Sequence, residues 1–382
     1  MHLNLRLGVL IMLGNKQTQE AGDNSQLLQV SAINVYNGID EKRAREIVDE
    51  KLNEVIKEYS QEAHSIAQSR IQLFSNDLIP KLVKENLMDN LKDPSIQVLL
   101  YDAQKAAAST ERPVDYSLLS ELLIHRVKKG NDRSIRAGIS RAIKIVDEIS
   151  DEALLGLTIA HSVVQFLPST GNIQDGIETL DNLFGKVIYN LPPTESTWID
   201  DLDILDAIRI NQLSGLKKID QIYPEFLSGY VDVGIDELTE DYQKAITIIK
   251  EANLPEDILC NHELRQGYVR LRILNLNRLD LVTISGYKLD FNGQLISVPF
   301  QIQLSDDQKH AIRNIYELYN KNPDLRNENI VKFMNLWDEF ENLKKLKNWW
   351  DSIPVSFKIT SVGRVLAHAN AQRCNPILPA LN

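Results

Sequence analysis

The densest group of side chains able to do chemistry is Asp200, Asp201, Asp203 and Asp206. Asp203 and Asp206 stand three apart, so on a helix they share a face, an arrangement that suits a divalent cation or an acid–base pair. Acids in a first helical turn are also stabilised by the helix dipole with no catalytic task, and no histidine stands near to complete a site. The sequence therefore assigns the group to capping. The seven histidines, His2, His64, His125, His161, His262, His310 and His368, form neither an HExxH motif nor a pair four apart. Cys260 and His262 lack the second ligand pair that zinc needs. His161 sits in a strongly apolar stretch and reads as a hydrogen-bonded core histidine. His368, Asn370 and Arg373 share a polar face near the C-terminus, expected to serve capping or a partner contact. The sequence contains no GxxxxGK[ST], GxGxxG or GxSxG motif, which argues against an NTPase motor, a common dinucleotide dehydrogenase and an α/β-hydrolase. No catalytic residue, metal ligand or cofactor is assigned. The enzymatic reading reduces to a metal-dependent hydrolase using the carboxylates of 200–206.

Charge adds a second kind of chemistry. The net charge of −11 is unevenly placed: residues 151–260 hold 6 basic and 20 acidic groups, so a nucleic-acid backbone would be repelled there and met only by the flanks. The densest basic stretch, 126–144, contains Arg126, Lys128, Lys129, Arg133, Arg136, Arg141 and Lys144 against the single acid Asp132. Solvated helix faces explain it in structural terms, and phosphate binding in functional ones. A second basic segment, expected to be a helix over 262–280, carries Arg265, Arg270, Arg272 and Arg278. Trp349 and Trp350 beside Lys344, Lys345 and Lys347 could stack bases, or pack under a neighbouring strand.

The elements that must position these groups are mostly helical. Of 382 residues, 43 % are apolar and 25 % charged, ordinary values for two or three globular domains. No apolar run reaches the ~18 residues of a membrane span, and two cysteines cannot build a disulfide framework. A cytoplasmic location and no membrane partner are expected. Met12 is expected as the true start, ahead of an export signal. Residues 14–38 are rich in Asn, Gln and Gly, with a loose alternation that includes Leu28 and Val30, and suit an extended segment pairing with copies of itself. Asp40 then caps a helix whose apolar residues Val48, Leu52, Val55, Tyr59, Ala63 and Ile66 step by fours and threes, a coiled-coil-like seam. Segment and seam together predict a homo-oligomer.

Further helices are expected to begin at Asp93-Pro94, Asp115, Asp132 and Ser150, and to occupy 172–188, 198–215, 236–253, 305–321 and 326–347. Near Leu281 the pattern turns to β-type residues with an Asn292-Gly293 turn, a hairpin signal. Helix 262–280 followed by that hairpin has the outline of a winged helix. A last strand over 355–359 leads through Thr360 as cap into a terminal helix, 362–373. The fold class is thus mainly α: a short N-terminal extended oligomerisation segment (1–39), a long coiled-coil-like helix region (40–92), a helical domain (93–260) and a winged-helix-like α+β portion (261–382).

Three stretches carry a resemblance: GNKQTQEAGDNS at 14–25, WIDDLDILDAIRI with YPEFLSGYVDVGI at 198–235, and ITSVGRVLAHANAQR at 359–373. They resemble an uncharacterised bacterial protein family whose members begin near Met12, and which implies no activity or catalytic residues. The helical pattern, hairpin and C-terminal end also resemble small helical domains near phage-defence and abortive-infection genes. The function expected is an oligomeric interaction, scaffold or sensor protein, with antiphage defence as its setting. The competing expectations are a nucleic-acid binder using 126–144 or 262–280 (Arg126, Lys128, Lys129, Arg133, Arg136, Arg270 and Arg272) and the hydrolase above.

Overall fold

The computed structural model describes residues 39–129, 132–211, 214–289 and 295–381. Leu28, Val30 and the proposed N-terminal oligomerisation segment, the Met12 start, and the turns at Gly130-Asn131 and Asn292-Gly293 lie outside the described residues.

The described chain is mainly helical, with small antiparallel sheets. Helices α1 (Glu41–Ile56), α2 (Gln61–Lys84), α3 (Pro94–Ser109), α4 (Pro113–Lys128), α5 (Arg133–Lys144), α6 (Asp151–Gln165), α7 (Ile173–Val187) and α8 (Thr197–Ile204) come first. Several caps follow directly from sequence. Asp93 accepts from Ser95 N at 2.7 Å with Pro94 at the first helical position, Asp132 accepts from Ile135 N at 3.1 Å, and Ser150 Oγ accepts from Ala153 N at 3.2 Å. Asp115 is a correction. It lies buried inside α4, accepting from Thr110 Oγ1 and Arg112 Nε, and Arg112 occupies the cap position instead.

The seam also needs correcting. The helix capped by Asp40 ends at Ile56, and α2 starts afresh after Ser60, so no single long helix runs through Tyr59. Val48, Leu52 and Val55 are buried and Tyr59 half-buried against α2 and α3 of the same chain. Their apolar surface is already covered, so it is not open to a second copy.

After α8 the chain forms β1 (Ile208–Asn211), α9 (Ile219–Phe226), α10 (Ser228–Val231), β2 (Ile235–Asp236), α11 (Glu240–Glu251), β3 (Leu259–Asn261), β4 (Tyr268–Leu271), β5 (Thr283–Leu289) and β6 (Leu295–Gln303). The C-terminal part is α12 (Asp306–Glu317), α13 (Pro323–Glu339), α14 (Glu341–Ser352), β7 (Ser356–Ile359) and α15 (Ser361–Cys374). The helix expected over 198–215 stops at Ile204, because Asp206 takes a positive φ of 61° and the chain turns into β1. The β-hairpin is present as β5 and β6, with a bulge at Ser285/Gly286. The helix expected before it is absent. Residues 259–271 form β3 and β4, and only a 3-10 segment, Leu276–Leu281, follows. The reason is a period of two: Val269, Leu271 and Ile273 are buried on one face of an extended strand, and Gly267 at φ 78° sets the turn before it. Helix-then-wing geometry is therefore not what precedes this hairpin.

Among the described residues, beside a small cluster in which Leu52, Val55 and Ile56 of α1 meet Ala67, Ile71 and Ala108, the buried apolar side chains form two main cores. The larger draws on residues from Ala44 to Leu381, so the C-terminal helix α15 lies among α4, α5 and α6. The smaller, between Ile235 and Tyr319, covers the β2–β4–β3 sheet with α11 and α12. That sheet straddles position 260/261, where the sequence reading places a domain boundary. No helix of the described residues is long and apolar enough to cross a membrane.

Candidate functional site: a cleft beneath the C-terminal helix

The TSVG sequence at 360–363 places the site. Thr360 caps α15, its Oγ1 accepting from Gly363 N at 3.2 Å and donating to Asp206 O at 2.6 Å, while Thr360 N donates to Ala207 O at 3.0 Å. A Cβ at Gly363 would stand 2.0 Å from Ala207 O, so only glycine lets this first helical turn lie against the chain entering β1. β1 pairs antiparallel with β7, with Arg209 opposite Lys358 and Ile210 opposite Phe357. Strand β7 and the start of α15 together form one side of a cleft of about 520 Å3.

The other walls come from α6, residues 215–217, α9 and α14. Val164, Leu216, Ile222, Phe226, Trp350 and Phe357 make an apolar, aromatic lining. Trp350 does not face solvent. It is buried, and its Nε1 donates to Lys217 O at 2.8 Å, fixing the loop that edges the cleft, while Trp349 Nε1 donates to Pro193 O at 2.9 Å. The polar lining is His161, Gln165, Lys217, Glu225, Ser356, Lys358 and Arg364. Lys217 and Glu225 neutralise each other at 2.7 Å. Arg364 has no such compensation: its Nε is buried without a hydrogen-bond partner, and among the described residues its guanidinium meets no carboxylate. Lys358 is likewise without an ion-pair partner among the described residues.

Behind the cleft, three histidines from three helices are brought together: His125 of α4, His161 of α6 and His368 of α15, with ring centroids 5.4 Å apart for His161–His368 and 5.6 Å for His125–His368. Hydrogen-bond directions fix their tautomers. His368 Nε2 donates to Pro379 O at 3.0 Å, so its Nδ1 accepts, and His161 Nε2 donates to it at 3.2 Å. His125 Nε2 donates to Gln372 Oε1, whose own amide donates to Leu378 O and Pro379 O at 3.1 Å each. His125 Nδ1 is left buried without a partner. Burial holds all three neutral. It pushes His161 down to about 3, helped by the neighbouring His368, and His368 down to about 4, and it lowers His125 as well. His125 also borders a second cavity, of about 540 Å3, where Lys81 pairs with Asp77 and Glu121 at 2.8 Å each and Lys128 with Glu85 at 3.0 Å, and where Lys84 and Arg373 add two further cations to the lining.

The residues singled out by sequence fare unequally. Asp203 lies on α8 but Asp206 lies beyond its end, turned toward Arg209 at 2.7 Å and Arg141 at 3.8 Å, so the two carboxylates do not share a helical face. Asp201 accepts from Ser150 Oγ at 3.2 Å. Among the described residues no group of three His, Cys, Asp or Glu could hold a metal ion. Arg126 is buried, donating to Ser95 Oγ at 3.0 Å, whereas Lys128, Arg133 and Arg136 are exposed and Lys129 half-exposed. Arg270 cannot meet a phosphate: it is 0 % exposed and forms a bidentate pair with Glu263, both contacts 2.8 Å. Arg272 pairs with Asp257 at 3.0 Å. The face carrying His368 and Asn370 is buried within the chain, with Asn370 Nδ2 donating to Thr158 Oγ1 at 2.9 Å, so it is not a partner surface.

Arg364 and Lys358 were not singled out by sequence reading. The sequence carries one weak signal, for Arg364 alone: a cation four residues beyond the capping Thr360, near the start of α15, the helix end that disfavours it.

A family model matches residues 38–378. The chain belongs to that family, whose activity is uncharacterised. No curated protein and no solved structure matches it.

Proposed function

We propose that this protein is a sensor: a helical interaction module whose contacts with partners change when a small molecule occupies the cleft beneath α15. The observation that carries this reading is the cleft itself, because its walls come from α6, α9, α14, β7 and α15, elements far apart in sequence that one bound molecule would tie together. Its size suits a ligand of a few rings, and its lining combines an apolar body with a few polar groups. The cytoplasm is the proposed location and antiphage defence the proposed setting. Expression of the intact protein in a susceptible bacterium should lower phage plating, and Val164→Trp, which fills the cleft mouth from a half-exposed position, should remove that effect while leaving the melting temperature unchanged. A flat plating result over a broad phage panel overturns the defence role, and full protection by Val164→Trp overturns the role of the cleft. Homo-oligomerisation, resting on the chain before residue 39, is read by native mass spectrometry at low salt; a bare monomer removes it.

A nucleic-acid contact is the second reading, favoured by one observation: Lys128, Arg133 and Arg136 are exposed close together in sequence, where α4 gives way to α5. Charge reversal at Arg133 and Arg136 should then abolish a retention on DNA or RNA that falls steeply with salt. Salt-insensitive failure to retain either nucleic acid ends this reading.

A further inference from the structure

Resting on the reading of the cleft as a ligand site, we infer that its ligand is an amphipathic organic anion, a planar apolar body bearing one carboxylate, sulfonate or phosphate group, with Arg364 as its anchor. Three observations converge on this. First, Arg364 is a half-buried cation lining the cleft that no carboxylate of the described residues answers, and its Nε is bonded to nothing. An anion arriving in the cleft would give this cation the partner that the described chain does not supply. Guanidinium also matches a two-oxygen anion with parallel hydrogen bonds. Second, the balance of charge along the cleft is positive. Glu225 is neutralised by Lys217 at 2.7 Å, leaving Arg364 and Lys358 uncompensated among the described residues. In the second cavity Lys81 and Lys128 are each paired with acids, so an incoming anion would meet Asp77, Glu85 and Glu121 beside Lys84 and Arg373, whereas the cleft presents only one acid, already neutralised. Third, apart from His161, Gln165 and Ser356 the remaining lining is apolar, with Trp350 and Phe357 contributing rings, which favours a flat apolar body over a free inorganic ion. His161 closes the inner wall as a neutral ring. Its Nε2 is occupied as donor to His368 Nδ1, so its Nδ1 is the lone-pair side and complements a ligand hydroxyl or amine, not the anionic group itself.

Two fluorescent probes that differ only in charge test this on the full-length protein: 8-anilinonaphthalene-1-sulfonate and its uncharged counterpart N-phenyl-1-naphthylamine. The sulfonate should bind wild type more tightly than the neutral probe. Arg364→Gln should weaken the sulfonate at least about tenfold, the scale of a hydrogen bond to a charged group, and leave the neutral probe unchanged. Val164→Trp should weaken both, with the melting temperature of each variant confirming that it folds. If the neutral probe binds as well as the sulfonate and Arg364→Gln alters neither, the anion inference falls while the cleft remains a ligand site. If sulfonate binding ignores both substitutions, it occurs elsewhere and the inference is overturned. If neither probe binds wild type, the reading of the cleft as a ligand site falls with it.

Discussion

Two arginines, the fully buried Arg270 and the half-buried Arg364, are treated in opposite ways. Arg270 is completely enclosed, and every direction of its guanidinium is answered: Glu263 by two contacts at 2.8 Å, Gly171 O at 2.8 Å, Leu271 O at 3.1 Å and Gly229 O at 3.2 Å, with the Tyr230 ring 5.7 Å away. It ties the smaller core to the turn before α7 and to α10, a positional task. Arg364 lines a cleft with a buried, unanswered Nε. The same contrast holds for histidines. His262 accepts from Leu264 N at 3.2 Å and bonds Asp232 O at 2.9 Å, within a network closed by Asn329, whereas His125 keeps an empty Nδ1 beside a cavity. A satisfied buried polar group holds the fold, and an unsatisfied one facing a cavity marks where something else belongs.

The comparison breaks most visibly at Arg270. Replacing it with alanine strands the Glu263 carboxylate and three backbone carbonyls, so Arg270→Ala should cost about 3–5 kcal/mol in chemical denaturation. A loss below about 1 kcal/mol would mean that the network is ornamental.

Acidification should act on the histidine row. The folded state holds His161 near 3 and His368 near 4, below their ordinary 6.5, so between those values the unfolded chain binds protons that the folded chain refuses. Their contribution is fully present above pH 6.5 and is lost as pH falls toward 4, at up to about 1.4 kcal/mol per pH unit for each ring. Stability curves of wild type and His161→Gln across this window should diverge, the variant being flatter; parallel curves would place the protonation elsewhere.

Gly363→Ala comes next. The added methyl meets Ala207 O, a backbone atom that cannot swing aside, and overpacking of this kind costs about 1–3 kcal/mol. Cleft binding of the sulfonate probe should weaken in the same variant, because α15 must lift from β1.

How much of this was legible in the sequence depends on distance along the chain. The caps at Asp93, Asp132, Ser150 and Thr360 were readable because each bond closes within three residues. The β1–β7 pairing, by contrast, joins residues about 150 apart, and His161 meets His368 across 207 positions. No local pattern announces such contacts. Two misreadings were avoidable. The alternation Val269, Leu271, Ile273 has the period of a strand, yet the arginines around it, followed by a hairpin, suggested the basic helix of a winged helix. The seam of α1 looked intermolecular because its spacing is the same whether the partner helix belongs to another chain or follows in this one. The cleft escaped because a lone arginine after a cap carries no motif.

The smallest expected effect belongs to the exposed cations. Arg133→Glu should change stability by no more than about 0.5 kcal/mol, as surface substitutions do, and a larger loss would show that α5 relies on it.

The most direct test of the contrast is a pair of thermal melts in the absence of any ligand, Arg270→Gln against Arg364→Gln. Expected is a large fall in melting temperature for Arg270→Gln and little or none for Arg364→Gln, because Arg364 is half-exposed and answers no carboxylate of the described residues. Equal falls in the two variants would contradict it, since Arg364 would then be holding the fold and not awaiting a ligand.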